Sequence, residues 1–409
     1  MISIAFTGGG TGGHIYPGLA VAAALGEILP GIRIFWIGSA AGMDRSIVTG
    51  AGLVFFGVPS GKLRRYFSLK NLSDVVKIGA GFFVSRRILK KERPGLLFSK
   101  GGFVSVPPCA AAASLGIPVF THESDYSPGL ATRINARFAR QIFTAYEDTA
   151  AFFPAAYREK VVSAGNPVRK SFRNAAAASG RAFLGIGPEE RILLVLGGSQ
   201  GAREINGLVR DCLPRLTEYY TVVHQTGPGQ DWDIPASARY RPYAYIRDEM
   251  PQVLAAAELV LGRSGAGTVW EAATAGKPMI LIPLRGSGTR GDQVENAAFF
   301  ERVGAAVVIG VQGERCVQGE RCVQGEQCGS GDRAETAFRE NGAFRENGTF
   351  RENGAFKENV ASVLAGTVSA LAQDTERRNT MAAASARLGS RDGAACIARI
   401  LLTALPGEP

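Results

Sequence analysis

Histidine is scarce in this chain, with three among 409 residues. Imidazole chemistry therefore has few places to occur. The six cysteines show neither metal-ligand nor secretory spacing, and Cys316, Cys322 and Cys328 are copies within a repeat. No metal site is expected. No uninterrupted apolar run reaches the about 18 residues that a membrane-spanning helix needs. Met1 leads straight into a strand pattern, with no basic stretch before an apolar one, so no secretory leader is expected and the reading is a reduced, cytoplasmic protein. Acidic residues are also in deficit. Lys and Arg number 46 against 36 Asp and Glu, for a formal charge of +10. That excess favours an acidic partner such as phospholipid, nucleotide or nucleic acid, without choosing among them.

What is present is a pattern that occurs twice. A strand at Ile2–Phe6 runs into Gly8-Gly9-Gly10-Thr11-Gly12-Gly13-His14, then into a helix through Leu19, Ala22, Ala23 and Leu25. A second strand at Ile192–Leu196 runs into Gly197-Gly198-Ser199-Gln200-Gly201-Ala202, then into a helix through Ile205, Leu208, Val209 and Leu213. A glycine turn feeding a helix points backbone N–H groups and a positive dipole end at one spot, which suits a diphosphate. Further strands are expected at 32–37, 54–58, 96–99, 119–122, 142–145 and 161–163, and at 220–225, 241–246, 259–262, 279–282 and 306–309. Strands alternating with helical patterns predict α/β units with parallel sheets. The reading is two Rossmann-like domains facing a cleft, 1–165 and 166–390, with a closing helix in 391–409 that packs back on the first domain.

Residues 311–360 break this plan. Val-Gln-Gly-Glu-Arg-Cys recurs at period six, followed by copies of Ala-Phe-Arg-Glu-Asn-Gly. The segment is polar, glycine-rich and of mixed charge, too poor in apolar surface to offset its ordering entropy. It reads as a disordered surface insertion over 311–356; a hexapeptide β-helix is the alternative.

The first loop also fits G-x-G-x-x-G through Gly8, Gly10 and Gly13. A nicotinamide site would want an acid at the end of the second strand, where Ile37-Gly38-Ser39 stands instead. The distinctive residue is His14, at the helix entrance beside the phosphate turn. Lys100-Gly101-Gly102-Phe103-Val104-Ser105 forms another turn between strand and helix, and Thr121-His122-Glu123-Ser124-Asp125 places a histidine and two carboxylates at a strand end. In the second half, Arg263-Ser264-Gly265-Ala266-Gly267-Thr268 opens a helix, with Glu271 about one turn in. A carboxylate there can accept hydrogen bonds from a ribose diol or pair with the helix dipole. Gln293 and Asn296 share a helical face and suit sugar hydroxyls or solvent. Asp231-Trp232-Asp233 resembles a metal-binding D-x-D, but lies in a loop away from any strand end and reads as a surface feature. The 62–93 stretch is both basic and apolar, with ten cations against Asp74 and Glu92. It favours an anionic membrane surface.

In order and spacing, Gly10-Thr11-Gly12-Gly13-His14, Gly101–Ser105, His122-Glu123, Asn166–Arg169, Gly197–Ala202, Arg263–Ala266 with Glu271, and Asp292-Gln293-x-x-Asn296-Ala297 resemble the bacterial MurG family of peptidoglycan N-acetylglucosaminyltransferases. The resemblance implies a GT-B fold and inverting, metal-independent transfer from UDP-N-acetylglucosamine to the 4-hydroxyl of the muramoyl sugar of lipid I, at the cytoplasmic face of the inner membrane. No cofactor is implied. Donor contacts carried over are Ile246 to uracil through its backbone, Glu271 to ribose, and Gln293 to the sugar, with Asn296 beside it. Ser199, Ser264, Gly265, Ala266, Gly267 and Thr268 would meet the diphosphate, with Arg169 nearby. Gly10, Gly101 and Gly102 would take the acceptor diphosphate, with Thr11, Gly12, Gly13 and Asp125 also against substrate. His14 is the first candidate for general base, then Asp125 and Glu123. Many members carry Asn at the position of Asp125, and a carboxylate there could act as a base where an amide cannot. Two other readings are a GT-B diacylglycerol glycosyltransferase and a UDP-N-acetylglucosamine 2-epimerase.

Overall fold

A computed structural model of the chain describes residues 2–61, 70–230, 232–286, 290–310 and 354–405. The repeats at 311–353, the first residues of the basic stretch, 62–69, and Asp231 lie outside the described residues.

The first sheet contains β1 (Ser3–Thr7), β2 (Arg33–Ser39), β3 (Val54–Val58), β4 (Leu96–Ser99), β5 (Val119–Glu123), β6 (Ala139–Thr144) and β7 (Val161–Ser163). All pair in parallel in the order β3-β2-β1-β4-β5-β6-β7. The second contains β8 (Ile192–Leu196), β9 (Thr221–Gln225), β10 (Tyr240–Tyr243), β11 (Leu259–Gly262), β12 (Met279–Leu281) and β13 (Ala306–Val308). Its parallel order is β10-β9-β8-β11-β12-β13. Strand order therefore reverses between β1 and β4 and again between β8 and β11. A crevice forms at the carboxyl ends of those strands, the position where open α/β sheets bind ligands.

Parallel strands covered on both faces must be apolar throughout, and these are. Ile4, Ala5 and Phe6 of β1, and Ile192 through Val195 of β8, are fully buried. β10 stops three residues short of the expected Ile246. It ends where its one partner does, since Tyr243 pairs with Gln225, the last residue of β9, and the Ile246 N–H donates to the Gln225 side-chain oxygen at 2.9 Å. The cores divide just after the first sheet: Val168, Phe172 and Leu184 already pack with the second domain's Val253 and Leu254. The chain later returns. Helix Gly393–Thr403 buries Ile397, Ala398 and Leu401 among Ile4, Phe6, Val21 and Leu25 of the first domain. Its N-terminus crosses the outgoing strand closely, since a methyl group at Gly393 would lie 2.8 Å from Asn166.

Candidate active site

Three loops of the first domain meet at its crevice. The glycine loop after β1 is held from below by a buried acid that the sequence reading did not single out. Asp44 accepts hydrogen bonds from Gly10 N at 3.0 Å and Ser39 N at 2.9 Å. Trp36 Nε1 donates to Gly8 O at 2.9 Å. The loop has no room for side chains on that side: a methyl group at Gly9 would fall 1.8 Å from Asp44, and one at Gly10 2.7 Å from the Phe103 ring. Gly10, Gly101 and Gly102 also adopt positive φ, where a Cβ is strained. Helix Gly12–Ile28 then starts with no side-chain cap; the His14 N–H donates to Thr11 O at 3.1 Å, and those of Gly12 and Gly13 remain available to an anion.

His14 stands at this entrance against Gly102; a methyl group on Gly102 would come within 2.9 Å of the imidazole. Its Nδ1 is buried without a partner. Burial, reinforced by the nearby Lys100 ammonium, lowers its pKa to about 4, so the ring is neutral and can accept a proton. Lys100 is itself almost wholly buried. Burial lowers its pKa, while Glu123 and Asp125 oppose the shift. It lies in the turn whose Gly101 and Gly102 the sequence reading assigned to the acceptor diphosphate, although the lysine itself was not singled out. A lysine directly before two glycines at a strand end was the available signal.

The strand end of β5 separates the two carboxylates by role. Glu123 accepts from Ser124 N and Asp125 N through Oε1, at 2.9 and 3.1 Å, and from Gly129 N through Oε2 at 3.0 Å. Both oxygens serve backbone N–H groups, so Glu123 shapes the loop and is the poorer base. Asp125 is held at its edge. Burial, with Glu123 adding repulsion, raises its carboxyl to about 6, while Arg290 and Asn296 oppose the shift. His122 is fully buried, with Nε2 on the Gly165 carbonyl at 3.1 Å, and is structural.

The second domain supplies the facing wall. Helix Ala266–Thr274 begins at Gly265 without a side-chain cap, leaving the N–H groups of Ala266, Gly267 and Thr268 for an anion. Ser264 is buried and donates to Gln293 O at 2.7 Å. Ser199 lies exposed in the loop after β8. Arg263 is structural: it donates to Glu204 at 2.6 Å and to Ile282 O at 3.0 Å. Glu271 faces Arg169 at 3.6 Å. Burial pushes the Glu271 carboxyl up to about 7, and Arg169 pulls it down. Arg169 also stacks over Tyr16 of the first domain at 4.8 Å. Ile246 is buried and its N–H is committed to Gln225. Gln293 Oε1 accepts from Leu284 N at 3.0 Å.

Asn296 is fully buried and links the two domains. Its Nδ2 donates to Asp125 Oδ1 and Ser264 O, both at 3.1 Å, and its Oδ1 accepts from Tyr126 N at 2.9 Å and Tyr146 OH at 3.2 Å. Both atoms of its amide are thus engaged within the protein. The junction continues through Arg302 to Asp148 at 2.6 Å and an edge-to-face contact of Tyr146 with Phe299.

Asp233 of the D-x-D pairs with surface Arg210 at 2.6 Å. No cluster that could hold a metal ion occurs among the described residues. On helix Lys70–Glu92, Val76 and Phe83 are 67% and 70% exposed, an apolar surface beside exposed Arg86, Arg87, Lys90 and Lys91. No helix among the described residues is long and apolar enough to cross a membrane.

Residues 4–144 match the glycosyltransferase family 28 N-terminal domain, and 192–320 the C-terminal domain. The chain is 51% identical over 329 residues to the UDP-N-acetylglucosamine–N-acetylmuramyl-(pentapeptide) pyrophosphoryl-undecaprenol N-acetylglucosamine transferase of Treponema denticola, covering 76% of this chain and 84% of the relative. It is 40% identical to the enzyme of that name from Staphylococcus aureus, covering 76% of this chain and 86% of the relative. Among solved structures, MurG of Acinetobacter baumannii superposes with a TM-score of 0.68 at 22% identity, covering 98% of this chain and all of that one. The UDP-GlcNAc 2-epimerase of Neisseria meningitidis shares the fold with a TM-score of 0.61 at 13% identity, covering 98% of this chain and all of the epimerase. The two crevices, their bare helix entrances and this degree of identity lead to one assignment: the chain belongs to the MurG family of glycosyltransferases.

Proposed function

We infer that the chain transfers N-acetylglucosamine from UDP-N-acetylglucosamine to the 4-hydroxyl of the N-acetylmuramoyl group of lipid I, giving lipid II and UDP with inversion at the anomeric carbon. The observation that carries the site assignment is the juxtaposition of two phosphate-binding entrances. One, in the first domain, stands beside His14 and Asp125; the other, in the second, leads to Glu271. The acceptor oxygen forms the new bond to the anomeric carbon as the bond to the UDP oxygen breaks. The leaving diphosphate keeps that electron pair. Its charge is met by the N–H groups of Ala266, Gly267 and Thr268 and by Arg169, fixed donors that need no reorganisation as charge develops. Ser199 closes the donor diphosphate site, Glu271 takes the ribose diol, and the Ile246 carbonyl is left to face the base. Gln293 reads the sugar through its unused Nε2. Gly10, Thr11, Gly12, Gly13, Gly101 and Gly102 receive the acceptor diphosphate.

The base must lie within hydrogen-bond reach of the hydroxyl and lose little driving force at working pH. His14 is neutral and stands at the acceptor loop. Asp125 is the better matched in pKa, at about 6 against about 4. His14 turns its Nδ1 into the protein and keeps Nε2 for the hydroxyl, whereas both Asp125 oxygens are tied to Arg290 and Asn296. That difference favours His14. The basic helix face with Val76 and Phe83 rests on the anionic cytoplasmic face of the inner membrane, where the lipid acceptor resides.

The test is to incubate the purified chain with UDP-N-acetylglucosamine and lipid I, with and without EDTA, and to follow lipid II and UDP. Equal turnover in both is expected. Isomerised UDP-sugar without lipid II, or loss of transfer with EDTA, would overturn the reading.

A further inference from the structure

Arg290 belongs to the second domain, yet its guanidinium sits in the first. Its Nη2 lies 2.5 Å from Asp125 Oδ2 and 3.2 Å from Asp292. The space it occupies exists because residue 129 has no side chain. A methyl group built at Gly129 would lie 2.2 Å from Arg290 Nη1, with its next neighbours at 3.4 Å or more. Gly129 is not needed for its backbone: φ is −67° and ψ 161°, a conformation open to any residue. The same glycine donates its N–H to Glu123, so the notch is built into the carboxylate loop.

Resting on the transfer proposed above, we infer that Arg290 is a positioning residue that the second domain inserts into the notch at Gly129, where it fixes the Asp125 carboxylate. The acceptor-side loop is therefore complete only while the domains are in contact. Asn296, from the same domain, takes the other Asp125 oxygen. Asp125 is thus clamped on both oxygens by the donor-binding half, a geometric link between the two substrates. The charged and titratable groups around Asp125 are Glu123 on its own strand end, Lys100 and Tyr146 from the first domain, and Arg290 and Asp292 from the second. Arg290 is the cation in contact, and its fork geometry matters because a lysine offers only a point charge.

The experiment compares R290Q, R290K and G129A in the full chain, with kcat and its pH profile under saturating donor and lipid I, UDP affinity by calorimetry, and Tm. In R290Q, kcat should fall about 10- to 100-fold, the scale on which misplaced groups slow a reaction. UDP affinity and Tm should stay near wild type, and the acidic limb should move to higher pH as Asp125 loses its cation. R290K should restore the limb but only part of kcat. G129A meets only the flexible end of Arg290, so it should fold normally and repeat the R290Q defect. The double variant should be no worse than R290Q. Wild-type kcat and pH profile in both R290Q and G129A, or additive losses in the double variant, would overturn the inference. A wild-type chain that makes no lipid II would instead overturn the function reading.

Discussion

Replacing Glu271 by glutamine should abolish a pH dependence of donor binding that burial builds into the site. The Glu271 carboxyl is raised to about 7, so close to half of the free protein carries it protonated at neutral pH. Only the carboxylate can accept from both ribose hydroxyls, and only it pairs with Arg169 beside the diphosphate. If the donor binds the ionised form, the apparent Kd is the intrinsic value divided by the ionised fraction. With a pKa of about 7, that fraction falls from about 0.9 at pH 8 to about 0.1 at pH 6, and affinity should drop roughly tenfold, or about 1.4 kcal/mol. The sign follows from the direction of the shift: a raised carboxyl is available above its pKa and lost below it. Calorimetry with UDP-N-acetylglucosamine is the suitable assay, because its diphosphate diester does not titrate in this range, whereas the terminal phosphate of UDP does. Glu271→Gln should weaken binding at pH 8 by about 1.5–3 kcal/mol, the worth of a hydrogen bond to a charged group, and flatten the profile. A flat wild-type profile between pH 6 and 8, or an equal slope in Glu271→Gln, would refute the titration, and unchanged affinity of Glu271→Gln at pH 8 would refute the ribose assignment.

His14→Ala should cut turnover by on the order of 100-fold or more while sparing UDP affinity, because the ring belongs to the acceptor side; near-normal turnover together with inactive Asp125→Asn would move the base to Asp125. Reversing Arg86, Arg87, Lys90 and Lys91 to Glu should release the protein from anionic liposomes, at about 1 kcal/mol for each cation near the surface, and leave UDP binding intact; equal wild-type binding to neutral and anionic liposomes would refute the electrostatic part. Replacing Gln312–Gly354 with a short Gly/Ser linker should leave turnover within a few-fold, since closure entropy grows only logarithmically with loop length, and a large loss would assign the repeats a role.

The strands and phosphate turns were legible because their signals are local. Apolar or β-branched runs of three to six residues and glycine at fixed offsets need no partner to be recognised. The early end of β10 follows from its partner, since β9 ends at Gln225 opposite Tyr243. The turn before helix Ala266–Thr274, with Glu271 on that helix, was legible for the same reason. Long-range polar contacts were not. Asp44 reaches the glycine loop across 34 positions, and Arg290 reaches Asp125 across 165. Asn296 is a further case, since its amide bonds Tyr126, Tyr146, Ser264 and Asp125 across the domain junction and its place on a helix face signals none of these partners.

Helix Gly393–Thr403, which supplies Ile397 and Leu401 to the core of the first domain, has a consequence for synthesis on the ribosome. The amino-terminal half emerges with a hole in its hydrophobic centre. The piece that fills it is made more than about 200 residues later, a wait of roughly 10–40 s at common elongation rates of about 5–20 residues per second. Throughout that interval Val21, Leu25 and Phe6 lack their final partner and present a sticky surface to chaperones or to neighbouring nascent chains. A message cut short before Gly393 would therefore leave the second domain nearly whole and cripple the first, so damage late in the chain would surface as failure in its early half.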